Sequence, residues 1–240
     1  MEKNEACLIC GGKIEYYSEK IEKKCQICGE AFMTNACCEK GHYVCDRCHS
    51  RKALERAAAI CREEASVNPV EILTKLMRES QVHMHGPEHH VLTGMALLTA
   101  CVNCGGYPRE NFGEGLLEIS SRGGMIPGGS CGFLGICGAA AGAGAFMSLI
   151  TETTPMSTES WKVCAQVSAR VLDNIAGPGG PRCCKRSSYI AVLTAAEMAE
   201  EELNIKMKTP ETVSCEFYKE NKECIRGRCP FFPERSEGNI

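Results

Sequence analysis

The sequence predicts a mainly α protein: a helical bundle domain with a small N-terminal zinc-finger module and an irregular, cysteine-rich C-terminal tail. Three observations carry that expectation. Residues 65–205 hold apolar residues at helical spacing, with little of the alternation a half-buried strand needs. Residues 1–50 are polar, poor in apolar periodicity, and contain eight cysteines. Residues 206–240 lose periodicity but add Cys215, Cys224 and Cys229.

In chain order, the ligands of residues 1–50 come in pairs: Cys7/Cys10, Cys25/Cys28, Cys38/His42 and Cys45/Cys48. A C-x2-C turn points two thiolates at one ion, and two tetrahedral zinc ions need eight ligands. A polar segment this short cannot build a core, so metal is expected to replace it. Two pairings are open. A plain ribbon joins pairs one and two, then three and four; a cross-braced weave joins one with three and two with four. Cys37 and His49 are spare candidates. Closed four-ligand sites leave no position for chemistry, so this module is expected to be structural and to meet a protein partner.

Residues 51–64 (RKALERAAAICREE) have the composition of a linker helix. Further helices are expected over 69–80, 87–101, 110–121, 131–151, 157–175 and 182–203. Pro69 and Pro87 suit first helical turns. The strings Gly123–Gly129 and Gly177–Pro181 break the pattern between helices. Residues 206–240 are expected to pack on the helical domain as a tail.

The totals set limits. Lys+Arg 27 against Asp+Glu 30 gives a net charge of −3, which disfavours a general nucleic-acid binder. No apolar run reaches about 18 residues, so no membrane span is expected. The start, MEKNEACLICGGK, lacks the apolar stretch of a secretory signal. Nineteen cysteines with metal-like spacing then point to a reducing cytoplasm rather than a disulfide scaffold. So many oxidisable thiols suit an anaerobic setting. The oligomeric state stays open.

Three clusters in the helical zone are candidates for chemistry. Residues 83–90 (HMHGPEHH) place four histidines and Glu88 at a loop and a helix start, where neutral, ligating imidazoles are favoured. His85 and His89 are the candidate proton donors or ligands. Residues 122–138 set Cys131 and Cys137 among glycines near a helix start, where a thiolate is stabilised. Residues 179–186 (GGPRCCKR) set Cys183 and Cys184 among Arg182, Lys185 and Arg186, again favouring thiolates. Cys101 and Cys104 add a further C-x2-C. In the tail, three cysteines need a fourth ligand from elsewhere or leave an iron open, and Cys229-Pro230 is a pattern seen beside iron–sulfur ligands. Cys61 and Cys164 fall within helical patterns and read as buried small hydrophobes.

The combination HGPEHH, GGSCGFLGICGAAAGAG and GGPRCCKR resembles a cysteine-rich domain of unknown function found in methanogenic archaea and anaerobic bacteria, sometimes beside radical-SAM or methyltransferase-like modules. That resemblance spans roughly residues 65–235. A zinc-ribbon-like N-terminus similar to GHYVCDRCH often accompanies it. Residues 137–143 are also similar to the CGAxxGA signature of redox-active helical cysteine proteins, which implies a bundle with thiol or cluster chemistry.

The leading expectation is a metal-binding protein whose helical domain holds an iron–sulfur cluster on Cys101, Cys104, Cys131, Cys137, Cys183 and Cys184, with Cys215, Cys224 and Cys229 forming a second site. Its task would be redox, sulfur-transfer or cofactor-maturation chemistry on a small anionic or thiol substrate. Cys183, Cys184, His85 and His89 would be the catalytic groups, and Arg182 an anion contact. The alternatives are a non-catalytic zinc-binding adaptor or regulator, and a metal-free thiol–disulfide protein.

Overall fold

In the computed structural model, which describes residues 7–233, the N-terminal module is built on one antiparallel hairpin, β1 (Ile14–Lys24) and β2 (Ala31–Cys38). Residues 1–6 of the expected module and 234–240 of the expected tail lie outside the described residues. The hairpin is a departure from the sequence reading. No residue of β1 is buried, and in β2 only Cys37 and Cys38 are. Such strands have no apolar face for alternation to reveal. The register pairs Ile14 with Cys38 and Lys24 with Ala31, with an irregularity between Tyr16 and Ile21.

Helix α1 (Asp46–Glu63) begins inside this module and ends in the bundle, burying Ala53, Ala57, Ile60 and Cys61 there. The expected linker helix therefore starts earlier than 51. Helix α2 (Pro69–Arg78) opens as predicted, with Pro69 in its first turn and the Asn68 side chain accepting the Val70 and Glu71 amides at 3.0 and 3.2 Å.

The hub is α3 (Glu88–Asn103), buried from Glu88 through Val102 apart from half-buried His90. A helix apolar on every face must be surrounded, and α3 packs against α1, α2, α8, and the two helices that follow it in space, α4 (Phe112–Gly123) and α6 (Gly138–Ile150). Fully burying Leu92, Leu97 and Leu98 stabilises by about 1.5–3 kcal/mol each.

The predicted helix over 131–151 is two pieces. A single turn, α5 (Ser130–Phe133), stops where Gly135 takes φ +69°, and α6 restarts after extended Cys137. Glycine supplies the left-handed conformation that ends the first piece. The small residues of α6 let it approach α3 closely: a Cβ on Gly142 would collide with the His90 carbonyl oxygen, and the Gly142 carbonyl lies 3.1 Å from where a Gly94 Cβ would sit. Helices α7 (Glu159–Ala176) and α8 (Cys184–Leu203) complete the bundle, and Asn204 closes α8 with φ +54°. Beyond it the tail runs over the bundle through two single 3-10 turns, Phe217–Lys219 and Arg226–Arg228, burying Phe217, Phe231 and Phe232. Among the described residues, no helix is long and apolar enough to cross a membrane.

Candidate metal centres

In the N-terminal module the eight ligand atoms gather in two groups, Cys7/Cys10/Cys38/His42 and Cys25/Cys28/Cys45/Cys48, each with its donors within 4.8 Å of one another. Pair one thus meets pair three and pair two meets pair four: the module is cross-braced. The hairpin dictates this. Pairing Ile14 with Cys38 sets the first cysteine turn beside the end of β2. The second turn is the hairpin tip, and Gln26 N–H donates to the Tyr43 carbonyl at 2.9 Å as the chain returns toward Cys45. The Cys10 and Cys38 sulfurs are 3.5 Å apart, His42 Nδ1 lies 3.2 Å from Cys10 Sγ, and Cys28 and Cys45 are 3.9 Å apart.

Backbone amides brace these sulfurs: Ile27 and Cys45 N–H both reach Cys25 Sγ at 3.4 Å, and Lys40 N–H reaches Cys38 Sγ at 3.3 Å. Burial opposes ionisation of Cys25, but the amides of Cys28, Cys45 and Ile27 outweigh it and bring the thiol down to about 6. Burial pushes Cys45 in the same site up to about 12. Four adjacent thiols cannot all ionise unless a cation joins them. Cys37 points away, its sulfur 3.4 Å from the Tyr17 hydroxyl, as strand alternation requires beside Cys38.

The histidine loop divides its side chains among neighbours. His83 lies with Glu88 and with His49 of α1, a third group whose donor atoms are within 4.8 Å of one another. His85 Nδ1 accepts the Cys184 amide at 3.3 Å. Burial, with Arg182 nearby, holds His85 down to about 3. His89 Nδ1 sits 3.1 Å from the Gly86 carbonyl, and burial also keeps this ring neutral. His90 Nδ1 lies 3.2 Å from the Ile126 carbonyl.

The nine candidate cysteines of the helical domain and tail fall in three places. Cys101 and Cys104 lie at the C-terminal end of α3, where the Cys101 sulfur is packed by Gly106 and Ile205 just beyond α8. Cys183 and Cys184 begin α8, whose 20 residues span about 30 Å. Cys101 and Cys104 therefore do not share a centre with Cys183 and Cys184. Cys137 lies within electrostatic reach of Cys131 and Cys184. The expectation of helix-stabilised thiolates is corrected at Cys137, Cys183 and Cys184: burial pushes all three up, Cys184 to about 12, and outweighs the nearby amides.

Cys183 joins the tail cysteines instead. Together with Cys215, Cys224 and Cys229 it lines one small, partly open cavity, whose other walls include Met84, Lys185, Arg186, Phe217, Asn221 and Phe231. The tail's need for a fourth ligand was the signal in the sequence; which cysteine filled it was not. These sulfurs are spread wider than in the N-terminal module, since no three of them lie mutually within 4.8 Å. N–H groups point at them: Arg186 N–H and Asn221 Nδ2 reach Cys183 Sγ at 3.4 and 3.5 Å, and Arg226 N–H reaches Cys224 Sγ at 3.4 Å. Burial pushes Cys215 up to about 12, with Cys183, Cys229 and Cys224 adding repulsion. Arg186 Nε, on a residue that lines this cavity, is buried without a hydrogen-bond partner among the described residues.

The cations around it are differently engaged. Lys185, wholly buried, donates from Nζ to the His83 carbonyl at 3.1 Å and lies 4.8 Å from the Phe217 ring centre. Arg186 Nη2 donates to the Gly179 and Pro181 carbonyls at 2.7 and 3.0 Å. Arg182, expected as an anion contact, donates instead to the Tyr16 hydroxyl at 2.7 Å and so joins the bundle to the hairpin.

No curated protein and no solved structure matches this chain. A family model matches residues 57–232, the helical domain and the described part of the tail. The chain belongs to that family, described as a family of unknown function, DUF5714.

Proposed function

We propose that this protein carries two structural zinc ions in its N-terminal module and one iron–sulfur cluster held by Cys183, Cys215, Cys224 and Cys229, and that it serves redox, sulfur-transfer or cofactor-maturation chemistry. The observation that carries the cluster is the convergence of four thiols from two distant chain segments on one largely apolar cavity. A single zinc ion with 2.3 Å bonds needs sulfurs about 3.8 Å apart. That suits the 3.5 and 3.9 Å separations of the N-terminal module. A 4Fe–4S cluster spreads its four thiolates wider, because each holds a different iron, and the cavity cysteines are spread.

The residues around the cavity suit such a group. A thiolate-ligated cluster is anionic, and Lys185 and Arg186 line its wall. The amides on Cys183 and Cys224 and the Asn221 side chain would favour the reduced, more negative state and raise the potential. Met84, Phe217 and Phe231 give the cavity apolar walls. When bound, the cluster supplies one-electron chemistry; the chain supplies its ligands, its potential and its shelter.

The test is anaerobic purification with iron and acid-labile sulfide analysis. A brown protein absorbing near about 400 nm, as iron–sulfur proteins do, is expected. Cys215→Ser and Cys224→Ser should lose iron and sulfide together, while Cys101→Ser and Cys104→Ser keep both. A colourless wild type holding only zinc would refute the cluster and leave the zinc adaptor.

A further inference from the structure

We infer that His49, His83 and Glu88 form a third metal site, which binds one divalent transition-metal ion and leaves a coordination position unfilled by the protein. This goes beyond the zinc module and the cysteine cavity and depends on neither being loaded with a particular metal.

The site is assembled from three elements. His49 stands directly after Cys48 on α1, His83 lies in the loop before α3, and Glu88 is the first residue of α3. The Glu88 carboxylate is wholly buried. Its Oε1 accepts the His83 amide at 3.0 Å and lies 3.3 Å from His83 Nδ1. Its Oε2 lies 3.4 Å from His49 Nδ1. The two imidazole rings face each other with centroids 4.2 Å apart.

The three side chains stand close enough to share one ion. A charge-assisted N–H to carboxylate bond closes to about 2.7–2.9 Å. Around a tetrahedral ion with bonds of about 2.1 Å, neighbouring donors stand about 3.4 Å apart. The His49 and His83 contacts, 3.4 Å to Oε2 and 3.3 Å to Oε1, are longer than the first figure and close to the second, and the His83 contact is also within hydrogen-bond reach. His49 Nδ1 and Glu88 Oε2 are buried and, among the described residues, have no partner at hydrogen-bond geometry beyond their own 3.4 Å ion-pair contact. A buried carboxylate with one such oxygen is costly unless a cation balances it.

The donor set names the ligand class. Two imidazole nitrogens and a carboxylate suit zinc or ferrous ion and are a poor fit for magnesium or calcium, which prefer oxygen alone. Three protein donors leave a fourth position vacant, the arrangement of catalytic rather than structural centres. The His49 and His83 side chains are 21% and 22% exposed while His49 Nδ1 and the Glu88 carboxylate are buried, so the site lies just beneath the surface. The amide of His83 fixes the carboxylate, and the His83 carbonyl in turn holds Lys185. Met84, the next residue, lines the cysteine cavity, so one loop borders both centres.

Equilibrium dialysis of the anaerobically purified full-length protein against low concentrations of cobalt(II), with bound metal counted by mass spectrometry, tests this. Wild type should take up one equivalent of cobalt beyond the zinc and iron it retains, and proton NMR should show two shifted exchangeable imidazole N–H signals. Glu88→Gln and His83→Ala should each weaken that uptake more than the 10–100-fold expected for loss of an outer hydrogen-bond partner, with two zinc ions per chain unchanged. His49→Gln, at a partly exposed position, serves if either variant loses its zinc or its helical circular dichroism. Absence of the extra equivalent in wild type would overturn the proposal. So would uptake that survives in folded variants, or cobalt that shows sulfur-to-metal charge transfer. Because the zinc and sulfide contents are read in the same samples, failure here is separable from failure of the cluster.

Discussion

Replacing Gly142 by alanine tests how tightly the α3–α6 crossing is made. Within a helix the exchange gains about 1 kcal/mol of intrinsic propensity. Against that, the new Cβ would run into the His90 carbonyl oxygen, with Thr93 Cβ of the same helix at 3.5 Å. The obstacle is backbone of the buried hub helix, which cannot swing aside as a flexible side chain could. Overpacking of this kind costs about 1–3 kcal/mol, and the upper end applies. The net expectation is a loss of about 2 kcal/mol, and for a chain of this length a fall of about 4–8 °C in Tm. Gly113→Ala is the matched control: it lies in α4, exposed, with nothing within 4 Å of its added Cβ. There the propensity gain stands alone, and Tm should rise by up to about 4 °C. The assay is thermal unfolding followed by far-UV circular dichroism on metal-loaded protein. Equal melting temperatures for Gly142→Ala and wild type, or shifts of the same sign for both variants, would refute the close crossing.

Other outcomes follow from the same structure. Cys10→Ser and Cys38→Ser should each release the same zinc ion, and Cys25→Ser the other, as read by a chromogenic chelator; if Cys10→Ser and Cys25→Ser compete for one ion, the cross-brace is wrong. Glu64 takes Lys75 Nζ at 2.8 Å and the amides of Ala65 and Ser66, which hold its carboxyl below the ordinary value. Its contribution to stability is therefore present above about pH 4.5 and is lost as pH falls through the lowered value. In urea titrations the gap between wild type and Glu64→Gln should narrow on acidification, and a gap independent of pH would contradict the assignment. Cys101 is wholly buried, and burial pushes its thiol up to about 12. It should resist iodoacetamide in the native protein at pH 8; peptide mapping that finds it modified as fast as in urea would place it elsewhere.

Much of the bundle was legible because its signals are local. Pro69, the Gly177–Pro181 string and the apolar run through α3 mark boundaries that the structure keeps within a few residues. The break at Leu134–Cys137 was not read, because Gly135 in a left-handed turn looks in sequence like one more small residue of α6. In the N-terminal module the ligand residues follow from spacing, whereas their pairing depends on the hairpin, and that hairpin has almost no buried face to write an alternating pattern. The candidate centres show the same divide. Three cysteines in the tail announce a missing partner, but only the arrival of α8 beside the tail selects Cys183. His49 and Glu88 stand 39 positions apart, and no local pattern links them.

Helix α1 runs 18 residues, about 27 Å, without interruption from the cysteine ligands at its first turn to Ile60 and Cys61 in the bundle. The Asp46 carboxylate accepts the Gly128 amide at 2.6 Å, and Tyr16 of the hairpin receives Arg182. A finger mounted on such a shaft and pinned at two further points cannot pivot like a bead on a string.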